Sequence, residues 1–282
     1  MGLPDWLART QRLFKNFGPH LVKINVRRVT RNITGAHKPP LAVAVDIDGT
    51  LLNADTQRIM AENTGWADEY EKICREVARG KKHMNPALKE SFDGFAKLGV
   101  GEAEWREVAE NAFNDHLNKD LVEGLLALQG LGNAPKLILA TRGHRAVAER
   151  VAELLLEKHG LHVQGIVASG DNGKGFEIIG NREGRLSGTS FTTKPLKARE
   201  QYLRGWGIPL QRTAIITDSP HDADSVAKFD SGVLLLTGEK SNAYALRAGM
   251  YDRVLRRGQG RMLPEMLGFK PEQRLKPPSR LM

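Results

Sequence analysis

Asp46 and Asp48 stand one residue apart where a run of small apolar residues stops, in VAVDIDGTLL (residues 43–52). Two like charges so close repel, and one of them tends to hold a proton unless a cation intervenes. Further along, Thr141 closes LILAT, and TDSPHDAD supplies Asp218 and Asp222. Between them TTKPLKAREQYL offers Lys194 and Lys197. Clustered carboxylates, one hydroxyl and one ammonium suit phosphoryl transfer onto a carboxylate. Magnesium would neutralise aspartates and phosphate together, and it prefers oxygen ligands from one or two carboxylates plus water. Asp46 could then remain ionised and attack phosphorus. Asp48, in the following turn, could protonate the leaving oxygen and then activate a water. Thr141 and a lysine would hold the phosphoryl oxygens as charge redistributes. Gly49 permits the sharp turn that the pair requires.

These groups converge only if the elements carrying them end on one edge. Apolar runs at 41–46, 136–141, 164–168, 213–217 and 231–237 read as strands, with helical patterns at 144–159, 196–206 and 222–229. Such alternation predicts a Rossmann-like parallel sheet with helices on both faces, whose ligands sit at the carboxyl ends of the strands. Residues 53–133 break the alternation. They read as helices at 55–80, 86–98, 102–118 and 120–130, an inserted all-helical cap. The expected divisions are a basic N-terminal helix and linker over 1–40, a core formed by 41–52 and 134–250, the cap over 53–133, and a basic tail over 251–282.

The net charge of +9 is uneven. Residues 1–40 carry eight Lys/Arg against one acid, and 252–282 carry eight against three, so the middle is mildly acidic. The high pI is therefore no nucleic-acid signature for the whole chain. The basic ends could meet an anionic lipid or a nucleic acid, and the first of them reads as an amphipathic helix, LPDWLARTQRLFKNFG. The same helix could instead pack its apolar face on the core. The single cysteine, Cys74, excludes an intrachain disulfide and a multi-thiolate zinc site. A cytoplasmic location is the expectation. The Arg-rich start would also suit an organelle-targeting segment or a peripheral membrane contact.

DIDGTLL, LATRG, the KA before a helix and TDSPHDAD resemble, in order, the four motifs of the haloacid dehalogenase superfamily of phosphatases. The resemblance spans about residues 41–237, with the helical insertion where those enzymes carry a cap of the first type. It implies a magnesium-dependent phosphatase with Asp46 as nucleophile and Asp48 as acid/base, the Asp48 backbone carbonyl also facing the metal. It implies Asp218 as a metal ligand, Asp222 as a ligand or its neighbour, and Lys197 in preference to Lys194 as the motif lysine. Gly49, Thr50 and Arg142 are the further phosphate-side candidates, and Arg142, beside Thr141, could contact a charged leaving group or be a solvated surface arginine. Mutases of the superfamily share the same first motif. The stretch EIIGNREGRLSG looks like that of phosphoserine phosphatase and its neighbours. Asp55 and Ser91 stand where those enzymes hold the substrate with Glu and Arg. The substrate implied is a small phosphorylated metabolite; the alternatives are a phosphatase of phospholipid or nucleic-acid 3′-phosphate brought to its substrate by the basic ends, and a non-catalytic anionic-ligand-binding protein on the same fold.

Other residues carry two readings. His144 and His221 adjoin motif residues and could touch substrate or make local hydrogen bonds. Arg79, Lys81, Lys82 and His83 could read an anionic substrate or form a solvated face. Trp66, Phe92 and Trp105 fall at helical spacing and read as cap core. Cys74 reads as a small buried apolar residue.

Overall fold

The computed structural model describes residues 38–170, 176–180, 203–219, 231–235 and 253–270. Five strands follow the expected runs: β1 (Ala42–Val45), β2 (Lys136–His144), β3 (Gly165–Ser169), β5 (Thr213–Thr217) and β6 (Ser231–Leu235). Two more complete the sheet, β4 (Phe176–Gly180) and β7 (Arg253–Leu255), in the order β4-β3-β2-β1-β5-β6-β7. Neighbouring strands run parallel except β3 and β4, which pair antiparallel. Buried on both faces, β1 reads AVAV with no polar alternation, as a central parallel strand should. Val43, Val45, Leu137, Leu139, Ala214 and Ile216 join one hydrophobic cluster with the helices.

Five helices lie between β1 and β2: α1 (Thr56–Asn63), α2 (Ala67–Ala78), α3 (Met84–Lys97), α4 (Glu102–His116) and α5 (Lys119–Gln129). The stretch 55–80, expected as one helix, is two. Thr64 turns its hydroxyl back onto the Met60 carbonyl, and Gly65 takes φ +70° before α2 begins. A residue in the left-handed region cannot continue a right-handed helix. α3 and α4 carry an aromatic core: Phe95 meets Trp66 and Trp105 edge-on at 5.0 and 5.1 Å, and Phe92 meets Trp105 at 6.0 Å. After β2, α6 (Arg145–His159) packs along α4, with Arg150 on Glu110 at 3.0 Å and Arg106 on Glu153 at 2.5 Å. The helical segment is thus joined to the core through α4 rather than standing free of it.

The reading of 251–282 as a tail needs correction. Arg253–Leu255 is a sheet strand, and Gly260–Met262 leads into a short helix, α7 (Leu263–Met266). The Asp120 carboxylate, at the start of α5, accepts from the Gly258 and Gly260 N–H groups at 2.9 Å each. Leu255, Leu263, Leu267 and Phe269 are buried in the main cluster. Their apolar side chains are spread thinly among basic residues, which hides the segment from composition. Residues 1–37 and 271–282, with the N-terminal helix and the final basic stretch, lie outside the described residues. Among the described residues no helix is long and apolar enough to cross a membrane.

Candidate active site

β1 pairs β2 and β5 in parallel, so the chain leaves all three strands on one edge. Asp46 follows the last residue of β1 and stays tied to β5, its N–H donating to the Ile216 carbonyl at 3.0 Å. Its carboxylate accepts from the Ile47 N–H at 2.8 Å and from the Thr217 hydroxyl at 3.4 Å. The chain then folds into a tight loop in which the Gly49 N–H reaches the Ala54 carbonyl. Gly49 takes φ +72°, and a Cβ there would lie 2.3 Å from Asp218 Oδ2. Backbone conformation and close approach both demand glycine at this point.

Thr50 is buried beneath the loop. Its hydroxyl donates to Asp218 Oδ1 at 3.0 Å and accepts from the Asp218 N–H at 2.9 Å, fixing a residue 168 positions away. Its carbonyl accepts from Asn118 Nδ2 at 3.1 Å. Thr50, expected beside phosphate, therefore holds Asp218 in place.

Asp48 points toward the N-terminus of α1, where its Oδ1 accepts from the Thr56 N–H at 2.9 Å. Loss of water, then the charge of Asp55, push its carboxyl up to about 7 from an ordinary 3.8, and the Thr56 hydrogen bonds oppose the rise. Asp55 caps α1, accepting from the Gln57 and Arg58 N–H groups at 3.0 and 3.2 Å, and its Oδ2 accepts from the Tyr70 hydroxyl at 3.1 Å. Burial raises the Asp55 pKa too, and it raises that of Tyr70.

Thr141 and Arg142 lie in β2 where its pairing with β3 is irregular: Ala140 faces Val167, but the next paired residue, His144, faces Ser169. Such a bulge re-aims side chains at a sheet rim. Ser169 secures it by donating to the Arg142 carbonyl at 2.6 Å. The Thr141 hydroxyl accepts from the Gly143 N–H at 2.9 Å, so its own proton is left to donate elsewhere. A side chain at 143 would meet Asp48 Oδ2 at 2.9 Å, which shows how closely the two motif loops approach.

Asp46, Asp48, Gly49, Asp55, Ser91, Thr141, Arg142 and Asp218 line one cleft of about 1340 Å³. Ser91 is buried with its hydroxyl donating to the Ala87 carbonyl at 3.0 Å. His144 caps α6, its Nδ1 accepting from the Ala146 N–H at 3.2 Å, and its ring stacks on Trp105 at 5.0 Å. Lys82 pairs with Glu76 and Glu90, and none of Arg79, Lys81, Lys82 or His83 is among the cleft residues. Lys194, Lys197, His221 and Asp222 lie outside the described residues. Reasoning from sequence missed Thr217, whose position one residue before the strand-end aspartate was a usable signal. It also missed Arg58, Tyr70, Lys119 and Arg257. Nothing in their local pattern marks them.

An oxygen-only donor set on a sheet edge suits magnesium, which needs one or two carboxylates and keeps its waters. Among the described residues no three Asp, Glu, His or Cys side chains form a ready metal cage. Asp46 and Asp218 together meet the smaller requirement.

The model of the haloacid dehalogenase-like hydrolases matches residues 43–225 of this chain. No curated protein matches it significantly. Solved structures resemble it in fold. One is a phospho-aspartyl intermediate analogue of phosphoserine phosphatase, 16% identical with TM-score 0.54, covering 83% of this chain and 100% of the other. Another is a substrate-bound phosphoserine phosphatase complex, 18% identical with TM-score 0.51 and the same coverage. A third is DsGPDH of Dunaliella salina, 16% identical with TM-score 0.53, covering 81% of this chain and 35% of that longer one.

Proposed function

The chain belongs to the haloacid dehalogenase-like hydrolases, and we propose that it is a magnesium-dependent phosphatase of small phosphomonoesters working through an aspartyl-phosphate at Asp46. The observation that carries the reading is the pair Asp46 and Asp48, which share a loop but not an environment. Asp46 is anchored between β1 and β5 with its carboxylate oriented by Ile47 and Thr217. Burial, then the charge of Asp55, push the Asp48 carboxyl up to about 7. One carboxylate is thus set to attack and the other to donate, the division that environment imposes on paired carboxyls.

Asp46 and Asp218, with the Asp48 backbone carbonyl, are the groups that would hold magnesium, and Asp222 completes the set that the family resemblance implies. Bound magnesium would supply the positive charge that lets phosphate and carboxylates share the cleft. An Asp46 oxygen forms the new bond to phosphorus as the P–O bond to the alcohol breaks. Asp48 delivers its proton to the departing oxygen and, now ionised, takes one from the water that attacks the aspartyl-phosphate. Inorganic phosphate leaves, and Asp46 and Asp48 return to their starting states. Thr141 donates its hydroxyl proton to a phosphoryl oxygen, and Lys197 is assigned the same task in charge.

The test is hydrolysis of p-nitrophenyl phosphate with and without magnesium, by wild type and Asp46→Asn. Turnover that needs magnesium and falls at least ~10³-fold in the variant is expected, as for loss of a nucleophile. Turnover retained by Asp46→Asn would refute the assignment.

A further inference from the structure

The cleft has two unlike halves. Its charged lining comes from the loops at the sheet edge, from α1, from the start of α5 and from Arg257. A second wall comes from α2 and α3. α2 turns Tyr70, Ile73, Cys74, Val77 and Ala78 toward the cleft, and α3 turns Met84, Ala87, Leu88 and Ser91. Both sets recur at three- and four-residue intervals, so each is one continuous stripe of its helix. No residue of either stripe is Asp, Glu, Lys, Arg or His.

The polar atoms of this wall are engaged. The Tyr70 hydroxyl donates to Asp55, and the Ser91 hydroxyl donates to the Ala87 carbonyl. Next to the wall, Asp55 caps α1 and Arg58 is ion-paired with Glu71. Charged residues of the two helices and of the loop between them form pairs of their own, Lys82 with Glu76 and Glu90, and Lys89 with Asp93. Ile73, Ala87 and Leu88 are buried, while Val77 and Met84 are half-buried and Ala78 is exposed, so the stripe is uncovered toward its outer end. A cleft of about 1340 Å³ also exceeds the ~300–1,000 Å³ of ordinary small-ligand sites.

We propose that the substrate is a phosphomonoester of an apolar alcohol, its phosphate on the carboxylate floor and its hydrocarbon along the stripe of Ile73, Val77, Ala78, Met84, Ala87 and Leu88. The inference rests on the phosphatase reading and narrows it. Along the stripe itself, the ammonium and carboxylate of an amino-acid alcohol would meet no charged partner, and unpaired charges there are strongly unfavourable. Hydrocarbon is what such a wall accepts, since burying it needs no partner.

Binding and turnover are measured separately. Alkylphosphonates of two to eight carbons, which cannot be hydrolysed, are titrated into the full chain with magnesium by calorimetry. Affinity is expected to rise about 2- to 4-fold per methylene, from the transfer free energy of buried CH₂ groups. Val77→Asp is expected to flatten that slope, with Ala78→Asp as the second variant should the first fail to fold. Lys72→Ala, an exposed residue outside the cleft lining, is expected to leave the slope intact. Affinity independent of chain length, or a slope unchanged in both aspartate variants, overturns the proposal. Hydrolysis of the matching alkyl phosphates is followed in parallel, with kcat/KM expected to climb alongside affinity. A binding slope with no hydrolysis of any alkyl phosphate sustains the apolar site and refutes the phosphatase reading. Hydrolysis without a slope in binding or kcat/KM does the reverse.

Discussion

Gly49→Ala tests whether the motif loop is shaped by its contact with Asp218. Two effects add. An alanine held in the left-handed region costs about 1–2 kcal/mol, and Gly49 sits at φ +72°. The new Cβ would also lie 2.3 Å from Asp218 Oδ2 and 2.7 Å from its Cγ, far inside contact distance. Relief requires Asp218 to move, which breaks its hydrogen bond from Thr50. Gly65 separates the two effects. Its φ is +70°, but no atom lies within 4 Å of a Cβ built there. Gly65→Ala should therefore lose only the conformational part, about 1–2 kcal/mol, with kcat unchanged. Gly49→Ala should lose that and roughly 1–2 kcal/mol more as the Asp218 contact gives way. Its magnesium-dependent kcat should fall by about 10²-fold or more, since misplacing a catalytic group by ~1 Å costs that much. Denaturant unfolding of both variants, with kcat/KM on p-nitrophenyl phosphate, decides it. A Gly49→Ala enzyme within threefold of wild type, or a Gly65→Ala enzyme equally impaired, would refute the argument.

Two further outcomes follow from the same geometry. The Asp48 carboxyl in the folded state titrates near 7, above its ordinary 3.8, so folding favours the protonated form. Metal-free protein should then lose stability as pH rises from about 4 through about 7, and buried Asp55 works in the same direction. Asp48→Asn should flatten the dependence and raise Tm at pH 8 in EDTA; a wild type that gains stability over that interval relative to the variant would contradict the shift. Asp120→Ala removes the acceptor of the Gly258 and Gly260 N–H groups. It should cost about 2–3 kcal/mol in urea unfolding, with Asp120→Asn intermediate, whereas no loss would mean that the C-terminal segment contributes little.

Strand ends were legible because chemistry and burial coincide there. A run such as TAIIT stops at the residue where a carboxylate begins, and β5 ends at Thr217 beside Asp218. The break between α1 and α2 was less visible, since one Gly within a helical pattern is common and only its φ decides. β4 and β7 were missed for opposite reasons. β4, FEIIG, sits antiparallel at the sheet edge, outside the strand–helix rhythm that located the others. β7 is three residues long, between basic residues that masked it. In the site, residue types announced the acids, but Tyr70 and Arg257 reach the cleft through packing of distant segments, which local pattern does not encode.

The two halves of the cleft come from two parts of the chain, and Thr50 lies where they meet. Its hydroxyl holds Asp218 and its carbonyl receives Asn118 Nδ2. Around it the chain leading into the helical segment pairs with the chain leading out, Asn53 N–H to the His116 carbonyl at 2.8 Å and Asn118 N–H to the Leu51 carbonyl at 2.9 Å. The two ends of the helical segment are thus held at the same buried residue that positions a carboxylate of the floor. Loop residues at the sheet edge carry most of the cleft's carboxylates. The helices between β1 and β2 carry no charge into the cleft beyond α1 and the start of α5, and on the reading proposed above the α2–α3 wall is what selects the alcohol.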